Sequence, residues 1–292
     1  MKWSVMTILH DLNVDLHTHS KASDGSLSPS EVMERALSND VDIVALTDHD
    51  TIEGVHEAMQ YTEGKNIYFI PGVEISTSWA GVCIHVLGLN INPNDEQLKK
   101  SLSKIQDSRY TRAQLMDKDL TDKGFPSVIK DALEFAGGTG QVGRAHFARA
   151  LIKKELCEDM REVFNKFLVK GKPGFVDHQW PSLKSVMEII KKSKGLGVIA
   201  HPARYRLNYS MLTYLLEEFQ ELGGVGLEVS AGSHSALDIE NFKRITNDFR
   251  FEGSRGSDFH CPNESRYDVG KAPYLPDSLL PIWSRWKAER VF

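Results

Sequence analysis

Residues 14–25 read VDLHTHSKASDG, a short apolar strand that ends in two histidines and a turn. Side chains at positions i and i+2 of a strand point to the same side, so His17 and His19 are predicted to face one way together. The next residues, Ser-Lys-Ala-Ser-Asp-Gly, have the composition of a turn and bring Asp24 near both rings. Imidazole and carboxylate groups are common metal ligands, so the stretch predicts half of a metal site. A pair of ordinary strand-end histidines is the alternative, because short motifs often match by chance.

The composition bounds the kind of protein. The chain has 292 residues, about the size of one α/β barrel or two ordinary domains. It is 41% hydrophobic and 26% charged, which is sufficient for a large core. A formal net charge of -5 argues against a general polyanion-binding surface, so we expect no stable complex with double-stranded nucleic acid.

The cysteines and the apolar runs indicate a cellular location. Cys83, Cys157 and Cys261 are an odd number without CxxC spacing, which favours reduced thiols in the cytoplasm. The first residues, MKWSVMTILHD, lack the apolar run of a signal peptide, and no run approaches the ~18 residues of a membrane span. We therefore expect a cytoplasmic protein with no membrane contact and no obligate protein partner.

Strand-like segments alternate with helical ones along most of the chain. A capping box at Ser28 and Glu31, with Pro29 in the first turn, marks the start of the first helix. Continuous apolar strands between amphipathic helices predict an α/β fold with a parallel sheet covered by helices. The seven predicted strands are residues 13–20, 42–50, 67–77, 82–91, 196–204, 225–232 and 250–260.

Residues 93–172 break this rhythm, because they contain long, polar helical patterns and no strand pattern. We predict an all-helical insertion over residues 93–172, mounted on a barrel formed by residues 12–92 and 173–292. The C-terminal tail is rich in proline and aromatic residues and is expected to wrap the barrel.

Metal-competent side chains recur where the predicted strands end. The carboxyl ends of strands in an α/β barrel converge on one face, so these residues should gather there. Clustered buried carboxylates would repel each other without cations. We therefore predict a centre of two or three divalent transition metals, with Glu74 as a bridge and Mn, Fe or Zn favoured over Ca or Mg. The predicted ligands are His17, His19, Asp24, His49, Glu74, His85, His201, Asp258 and His260.

Three neighbouring residues allow two interpretations each. Asp48 and Asp50 flank His49 and could orient ring N–H groups, or they could close the turn, with Asp50 or Thr51 capping the next helix. Cys83 shares strand parity with His85, so a thiolate ligand is conceivable, but a small buried core residue is the favoured interpretation.

Six motifs, in this order, resemble the PHP (polymerase and histidinol phosphatase) family: HTHSKASDG, TDHDT, PGVEIS, IHVLG, AHPAR and GSDFH. The resemblance implies a distorted (β/α)7 barrel that hydrolyses phosphate esters with two or three metals. It also implies how the ligands divide. One metal would take His17, His19, Glu74 and Asp258; a second would take Asp24, His49 and His260; a third would take Glu74, His85 and His201.

The insertion supports a closer resemblance. GRAHFARALI, FNKFLVKGKPGFV and HPARY are similar to the subgroup that removes the 3′-phosphate of nucleoside 3′,5′-bisphosphates, some members of which also trim RNA from its 5′ end. Two positions depart from that pattern: Ala203 stands where glycine is expected, and Asp177 and His178 stand where a proline pair is common.

The insertion also has the features of a phosphate binder. Residues 137–172 contain eight basic and four acidic side chains, and a glycine-rich turn leads into a predicted helix N-terminus that favours anions. Arg144 and Arg149 offer planar guanidinium groups for phosphate, and Arg144 and His146 are expected to contact ligand. A solvated basic helix face is the alternative, and it is the interpretation for Lys153, Lys154 and Arg161.

These observations predict that the protein converts nucleoside 3′,5′-bisphosphates to 5′-mononucleotides and trims short 5′-phosphorylated RNA. Arg204 is the predicted phosphate-binding catalytic residue. Asp48 or a water would protonate the leaving 3′-oxygen. A histidinol phosphatase or a DNA-directed exonuclease are alternatives within the enzyme class, and a non-catalytic metal-binding regulatory scaffold is an alternative from another class.

Overall fold

The computed structural model describes residues 9–138 and 140–286. Seven strands form one sheet whose spatial order follows the chain. The sheet closes between its first and last strands, because Leu16 N–H donates to the Arg255 carbonyl at 3.0 Å and Asp258 N–H donates to the His17 carbonyl at 2.9 Å. The predicted seven-stranded distorted barrel is therefore confirmed. Its strands are β1 (Val14–Asp15), β2 (Ile43–Leu46), β3 (Tyr68–Trp79), β4 (Val82–Leu89), β5 (Leu196–Ile199), β6 (Gly226–Ala231) and β7 (Glu252–Gly256).

The sheet is not fully parallel, and that part of the sequence prediction is wrong. Strand β4 runs antiparallel to both β3 and β5. Only Ala80 and Gly81 separate β3 from β4, and both have a positive φ, 47° and 77°. A parallel connection needs a crossover of a dozen or more residues, whereas a two-residue turn of this hand makes a hairpin.

Helices cover the outside of the barrel and build the insertion. The first helix begins as predicted: Ser28 Oγ accepts the Glu31 N–H at 3.2 Å, and the Glu31 carboxylate accepts the Ser28 N–H at 2.7 Å. The second is not capped by Asp50 or Thr51, since its N-cap is Gly54. The helices are α1 (Pro29–Ser38), α2 (Val55–Thr62), α3 (Glu96–Asp122), α4 (Ile129–Phe135), α5 (Arg144–Lys153), α6 (Met160–Lys166), α7 (Leu183–Lys192), α8 (Tyr209–Glu221) and α9 (Ala236–Phe249).

The helical insertion has a hydrophobic core of its own, which includes Met116, Phe147 and Leu168. Helix α3 joins this core to the barrel. Its first turns bury Leu98 and Leu102 in the barrel core, and its later turns belong to the core of the insertion. The insertion is thereby fixed over the same end of the barrel as the hairpin of β3 and β4.

The C-terminal tail packs against the seam between β1 and β7, as the sequence predicts. Buried Arg255 donates to the Gly270 carbonyl at 3.0 Å and to the Pro273 carbonyl at 2.9 Å. Asp15 accepts the Gly270 N–H at 2.7 Å, and the Trp283 indole donates to the Leu9 carbonyl at 2.9 Å.

The structure bears on two of the features used to predict the location, the apolar runs and the cysteines. Within the described residues, every helix is too short or too polar to cross a membrane. Cys83, Cys157 and Cys261 are free thiols. Residues 1–8, which carry most of the stretch used to argue against a signal peptide, lie outside the described residues.

Candidate metal centre

The nine predicted ligands lie together at the mouth of the barrel, and the Glu74 carboxylate is at their centre. On β3, its Oε1 atom lies 2.8 Å from His85 Nδ1 and 3.0 Å from His201 Nε2. Its Oε2 atom lies 2.8 Å from His49 Nδ1. The same oxygen is 3.3 Å from the Nε2 atoms of both His17 and His19. One carboxylate thus faces five imidazoles, the arrangement that the sequence suggests for a bridging ligand.

Two further carboxylates complete the cluster. Asp258 Oδ1 lies 3.4 Å from His17 Nε2 and 3.2 Å from His19 Nε2. Asp24 lies 3.2 Å from His260 Nε2. Ligand atoms within 4.8 Å of one another form three overlapping groups: His17, His19 and Glu74; His19, Asp24, His49 and His260; and His49, Glu74 and His85.

The backbone near the cluster is shaped to bring these side chains together. His201 and Asp258 follow β5 and β7 with φ values of 28° and 55°, in the left-handed region. Gly256 is required by close approach, since a Cβ atom there would lie 2.3 Å from the Cβ atom of His17. Sharp turns of the chain at the strand ends therefore aim the ligands inward.

The donor atoms fit transition metals. Buried polar atoms in proteins nearly always have hydrogen-bond partners, and each one without a partner costs about 1–3 kcal/mol. Both ring nitrogens of His19, the Nε2 atom of His17 and the Oε2 atom of Glu74 are buried without such a partner. A bound cation would satisfy all of them, and mixed imidazole and carboxylate donors suit Zn, Mn or Fe. The cluster is suited to metal binding.

The charges within the cluster are strongly coupled. Burial favours the neutral form of Glu74, but His49, His85 and His17 hold its pKa well below the usual range. Burial also disfavours charged His85 and His260, yet Glu74 raises the pKa of His85 to about 10 and Asp24 raises that of His260 to about 9. Without metal, the carboxylates are charged and protons reside on part of the histidines. Metal binding must therefore displace protons.

Glu228 is a candidate positioning residue that the sequence analysis missed. This fully buried carboxylate on β6 lies 3.0 Å from His17 Nδ1, and its other oxygen accepts the His201 backbone N–H at 2.6 Å. A carboxylate on Nδ1 fixes the tautomer so that Nε2 faces the cluster. The signal was present in the sequence, since Glu228 is the only charged residue in the β6 segment GLEVSA.

The two aspartates beside His49 do not orient its ring. Asp48 is buried, and its carboxylate accepts hydrogen bonds from Ser20 and Ser23 at 2.6–2.7 Å, which holds the loop that carries Asp24. Asp50 accepts the Ser76 N–H at 2.7 Å and forms a buried ion pair with Arg109. Asp48 is also absent from the cavity wall, so the structure does not bring this predicted catalytic residue into reach of a ligand.

A cavity of about 1250 Å³ opens above the cluster, and basic side chains line it. Arg204 lies in its wall, half exposed, and donates to Asp258 at 2.7 Å. Arg149 also lines the cavity, but it donates to the Asp24 carbonyl at 2.8 Å and pairs with Glu264 at 3.0 Å. His146 does not line the cavity: it is buried, and its Nδ1 accepts the Gly143 N–H at 3.1 Å at the start of α5.

Arg144 lines the cavity, as predicted. Arg112, whose charge interacts with that of Arg144, also lines it, and the sequence analysis missed this second arginine. The guanidinium of Arg144 lies 5.8 Å from the Phe164 ring centre, and that of Arg112 on α3 lies 5.5 Å from the Trp180 ring centre. Arg109, one turn before Arg112, lines the same wall. The i, i+3 arginines of α3 were the available signal, but their direction depended on how the insertion packs.

The structure also bears on the interpretations of Cys83 and of two lysines of the insertion. Cys83 is exposed and lines the cavity, so its favoured interpretation as a buried core residue is wrong. It stands at the start of β4, where the hairpin extends beyond the core. Lys153 and Lys154 pair with Asp131 on the insertion surface, as predicted for a solvated helix face.

Comparison with known proteins identifies the family of the chain. The model of the PHP domain family matches residues 15–230. A 3′,5′-nucleoside bisphosphate phosphatase from Chromobacterium violaceum is 40% identical over 94% of this chain and 97% of its own. A 5′-3′ exoribonuclease from Haemophilus influenzae is 36% identical over 93% of this chain and 98% of its own. The solved structure of an amidohydrolase from C. violaceum, 40% identical, superimposes with a TM-score of 0.91 over 94% of this chain and 96% of its own. The chain belongs to the PHP domain family.

Proposed function

We propose that this protein is a metal-dependent phosphoesterase that removes the 3′-phosphate from nucleoside 3′,5′-bisphosphates and leaves 5′-mononucleotides. One observation carries the proposal: the cavity that opens on the metal-competent cluster is also lined by arginines that have no carboxylate partner among the described residues. A substrate with two phosphates is complementary to both. The similarity to the bisphosphate phosphatase of C. violaceum, which extends over nearly the whole chain, supports the same substrate class.

The cluster is the proposed site of two or three Mn, Fe or Zn ions. We propose the ligand sets that the family resemblance implies, and the three groups of neighbouring donor atoms agree with them in part. His201 contacts Glu74 at 3.0 Å and completes the third set. When bound, such metals supply Lewis acidity that neutralises phosphate oxygens and lowers the pKa of water.

Arg204 is the proposed catalytic residue for the phosphate that is hydrolysed. One of its N–H groups donates to Asp258, which fixes the guanidinium beside the cluster, and the half-exposed remainder faces the cavity. Its free N–H groups can bind two phosphate oxygens and stabilise the charge that develops on them. Asp48 is assigned instead to positioning the loop of Asp24.

Arg112 and Arg144 are the proposed site for the phosphate that stays on the nucleotide. Both line the cavity, and neither has a carboxylate partner among the described residues. Burial and the neighbouring Arg144 lower the pKa of Arg112 to about 9, so a bound anion would stabilise its charged form. We propose that His146 acts through the start of α5 and that Arg149 fixes Asp24, so both are positioning residues.

We also propose that the site trims short 5′-phosphorylated RNA one nucleotide at a time. The similarity to the H. influenzae exoribonuclease and the size of the cavity favour this second activity. The proposed partners are therefore nucleotides and short oligonucleotides. The three free cysteines support a cytoplasmic location.

Product analysis tests the proposal. The metal-loaded protein is incubated with adenosine 3′,5′-bisphosphate, and phosphorus NMR or chromatography identifies the mononucleotide. We expect the 5′-mononucleotide and inorganic phosphate. Accumulation of the 3′-mononucleotide would show that the two phosphate sites are reversed, and a strong preference for histidinol phosphate would assign the sister activity. Absence of hydrolysis of every phosphate ester, after metal loading, would favour the non-catalytic scaffold.

A further inference from the structure

The cavity has more cationic groups and more space than a nucleoside bisphosphate requires. Its volume of about 1250 Å³ exceeds the ~300–1,000 Å³ of typical small-molecule pockets. Arg109, Arg149 and Arg204 each have a carboxylate partner. Within the described residues, no carboxylate pairs with the other lining cations, which are Arg112, Arg144, Lys170 and Arg266.

Arg266 is separated from the other unpaired cations by the fold. Arg112, Arg144 and Lys170 belong to the helical insertion, next to the hairpin of β3 and β4. Arg266 follows β7, and its Nη1 donates at 3.2 Å to the carbonyl of His234 in the segment after β6. The first three cations thus lie beside β3 and β4, and Arg266 lies beside β6 and β7. In the closed sheet, β5 separates these two pairs of strands on one side, and β1 and β2 separate them on the other. Arg266 therefore lines a different part of the cavity rim from Arg112 and Arg144, and α5 reaches that part only through the paired Arg149 and Glu264.

We propose that Arg266, together with Ser233 and Ser265, which also line the cavity, forms a third phosphate site that binds a 5′-phosphorylated oligoribonucleotide on the 3′ side of the cleaved linkage. This inference rests on the proposed function, because it takes the metal cluster as the place of hydrolysis and Arg112 and Arg144 as the site of the 5′-phosphate. With those two sites filled, a bisphosphate has no group left for Arg266, whereas a longer strand has one.

The bond that breaks determines where the strand must go. Water adds to the phosphorus of the first linkage, and the bond from that phosphorus to the 3′-oxygen of the first nucleotide breaks. The hydroxyl from water stays on phosphorus, and the 3′-oxygen takes the proton. The phosphate therefore remains as the 5′-phosphate of the shortened strand, whose next phosphate lies one nucleotide beyond the cluster. The part of the cavity rim that carries Arg266, away from the segments of Arg112 and Arg144, is the place to hold it.

The groups on this part of the rim have free donors for a phosphodiester. The Arg266 guanidinium has five N–H groups, of which one is used by His234. Ser265 Oγ accepts the N–H groups of His260 and Cys261 at 2.8 and 3.1 Å, so its hydroxyl hydrogen is free to donate. The nearby Glu264 carboxylate is neutralised by Arg149. Contacts of this kind bind the nucleic-acid backbone and carry no base specificity.

The alternative role for Arg266 is structural, because its contact with His234 could simply hold the segment after β6. Substrates of increasing length separate the two roles. Adenosine 3′,5′-bisphosphate and the 5′-phosphorylated dinucleotide have two phosphates each, whereas the 5′-phosphorylated trinucleotide has a third. A contact with the third phosphate affects only the trinucleotide, but a structural defect affects all three substrates.

The experiment measures kcat/KM on these three substrates for the metal-loaded wild type, Arg266→Ala, Arg266→Lys and the control Arg244→Ala. Arg244 is an exposed arginine on α9 that does not line the cavity. We expect the wild type and Arg244→Ala to prefer the trinucleotide over the dinucleotide. Arg266→Ala should lower kcat/KM on the trinucleotide at least about tenfold, as for loss of a charge-assisted contact, and leave the other two unchanged. Arg266→Lys should keep part of the preference.

Each other result overturns the inference. A wild type with no preference for the trinucleotide has no third phosphate site, and equal losses on all three substrates assign Arg266 to the loop. Thermal melting of the variants identifies a folding defect independently. Failure of the proposed function is a different result, namely no 3′-phosphate release from the bisphosphate. If the wild type still cleaves the oligonucleotides, the ratio of kcat/KM on the trinucleotide to that on the dinucleotide still tests the Arg266 site. If the wild type cleaves none of the substrates, both the proposed function and this inference are wrong.

Discussion

The Glu228 carboxylate connects two metal-competent histidines: one oxygen lies 3.0 Å from His17 Nδ1, and the other accepts the backbone N–H of His201 at 2.6 Å. The first contact fixes which ring nitrogen of His17 faces the cluster. The second holds His201 in a backbone conformation with a φ of 28° that residues other than glycine rarely adopt. A residue outside the predicted ligand set thus positions two of its members.

Glu228→Gln should therefore weaken metal binding without unfolding the barrel. The amide keeps the shape of the side chain but loses the charge that favours the proton on His17 Nδ1. We expect metal affinity to fall about 10–100-fold, as for other carboxylate partners of metal-binding histidines. Elemental analysis after dialysis against graded chelator measures it. The control is Glu252→Gln, because Glu252 is a carboxylate on β7 that pairs with Arg285 and not with a histidine of the cluster. Unchanged metal retention in Glu228→Gln would contradict the positioning role.

Glu74→Ala and His17→Ala should each remove metal and turnover together. Glu74 faces five imidazoles, so its loss removes the proposed bridge and the carboxylate that contacts most of the histidines. Elemental analysis and phosphate release are measured on the same preparation, with circular dichroism to verify folding. Glu53→Ala, at an exposed carboxylate outside the cluster, should retain both. Fewer than one transition metal per wild-type chain after metal supplementation would exclude the metal centre.

Metal binding should release protons. The pKa of His85 is raised to about 10 and that of His260 to about 9, so both rings are protonated at pH 7 in the metal-free protein. A metal binds only the neutral ring, so apparent affinity should rise from pH 7 towards 9–10 and proton release should decrease over the same range. Calorimetric titration in two buffers of different ionisation enthalpy counts the protons. Equal heats in both buffers at pH 7 would mean that these rings are neutral before metal binds.

Arg112→Ala and Arg144→Ala should raise KM for a nucleoside bisphosphate and hardly affect a small chromogenic phosphate ester. Each variant loses a charge-assisted contact with the retained phosphate, which is worth about 1.5–3 kcal/mol. Steady-state kinetics on both substrates measures the difference. Arg161→Ala is the matched control, because Arg161 is exposed on the same insertion. Losses of equal size on both substrates would assign these arginines to structure or to the metal cluster.

Asp50→Ala should destabilise the contact between the barrel and the insertion. Asp50 is fully buried, pairs with Arg109 on α3 and accepts the Ser76 N–H at 2.7 Å. Its removal leaves a buried guanidinium without its partner, so the free energy of unfolding should fall by about 3–5 kcal/mol. Urea denaturation measures this against Asp277→Ala, where the side chain is almost fully exposed. A change below about 1 kcal/mol, the usual range for an exposed ion pair, would show that the pair is solvated.

Local patterns in the sequence determined the strands, the capping box of α1 and the identity of the clustered side chains. Strand periodicity has a repeat of two residues and a helix cap extends over four, so both are written in adjacent positions. The end of each strand is also a local feature. This is why His17 and His201 could be placed in one cluster before any contact between them was known, whereas Glu74 lies in the middle of β3.

Contacts between distant segments decided the rest. Asp48 was expected to act on a ligand. Both of its carboxylate oxygens instead accept hydrogen bonds from Ser20, which lies 28 residues away in the chain. Arg109 reaches Asp50 across 59 positions, and Glu228 reaches His17 across 211. The partner of a buried polar group is whichever donor or acceptor the packed fold brings within about 3 Å, because an unpaired one is costly. No periodicity encodes that choice, so only the tertiary structure decided which charged residues form the cavity wall and which support it from behind.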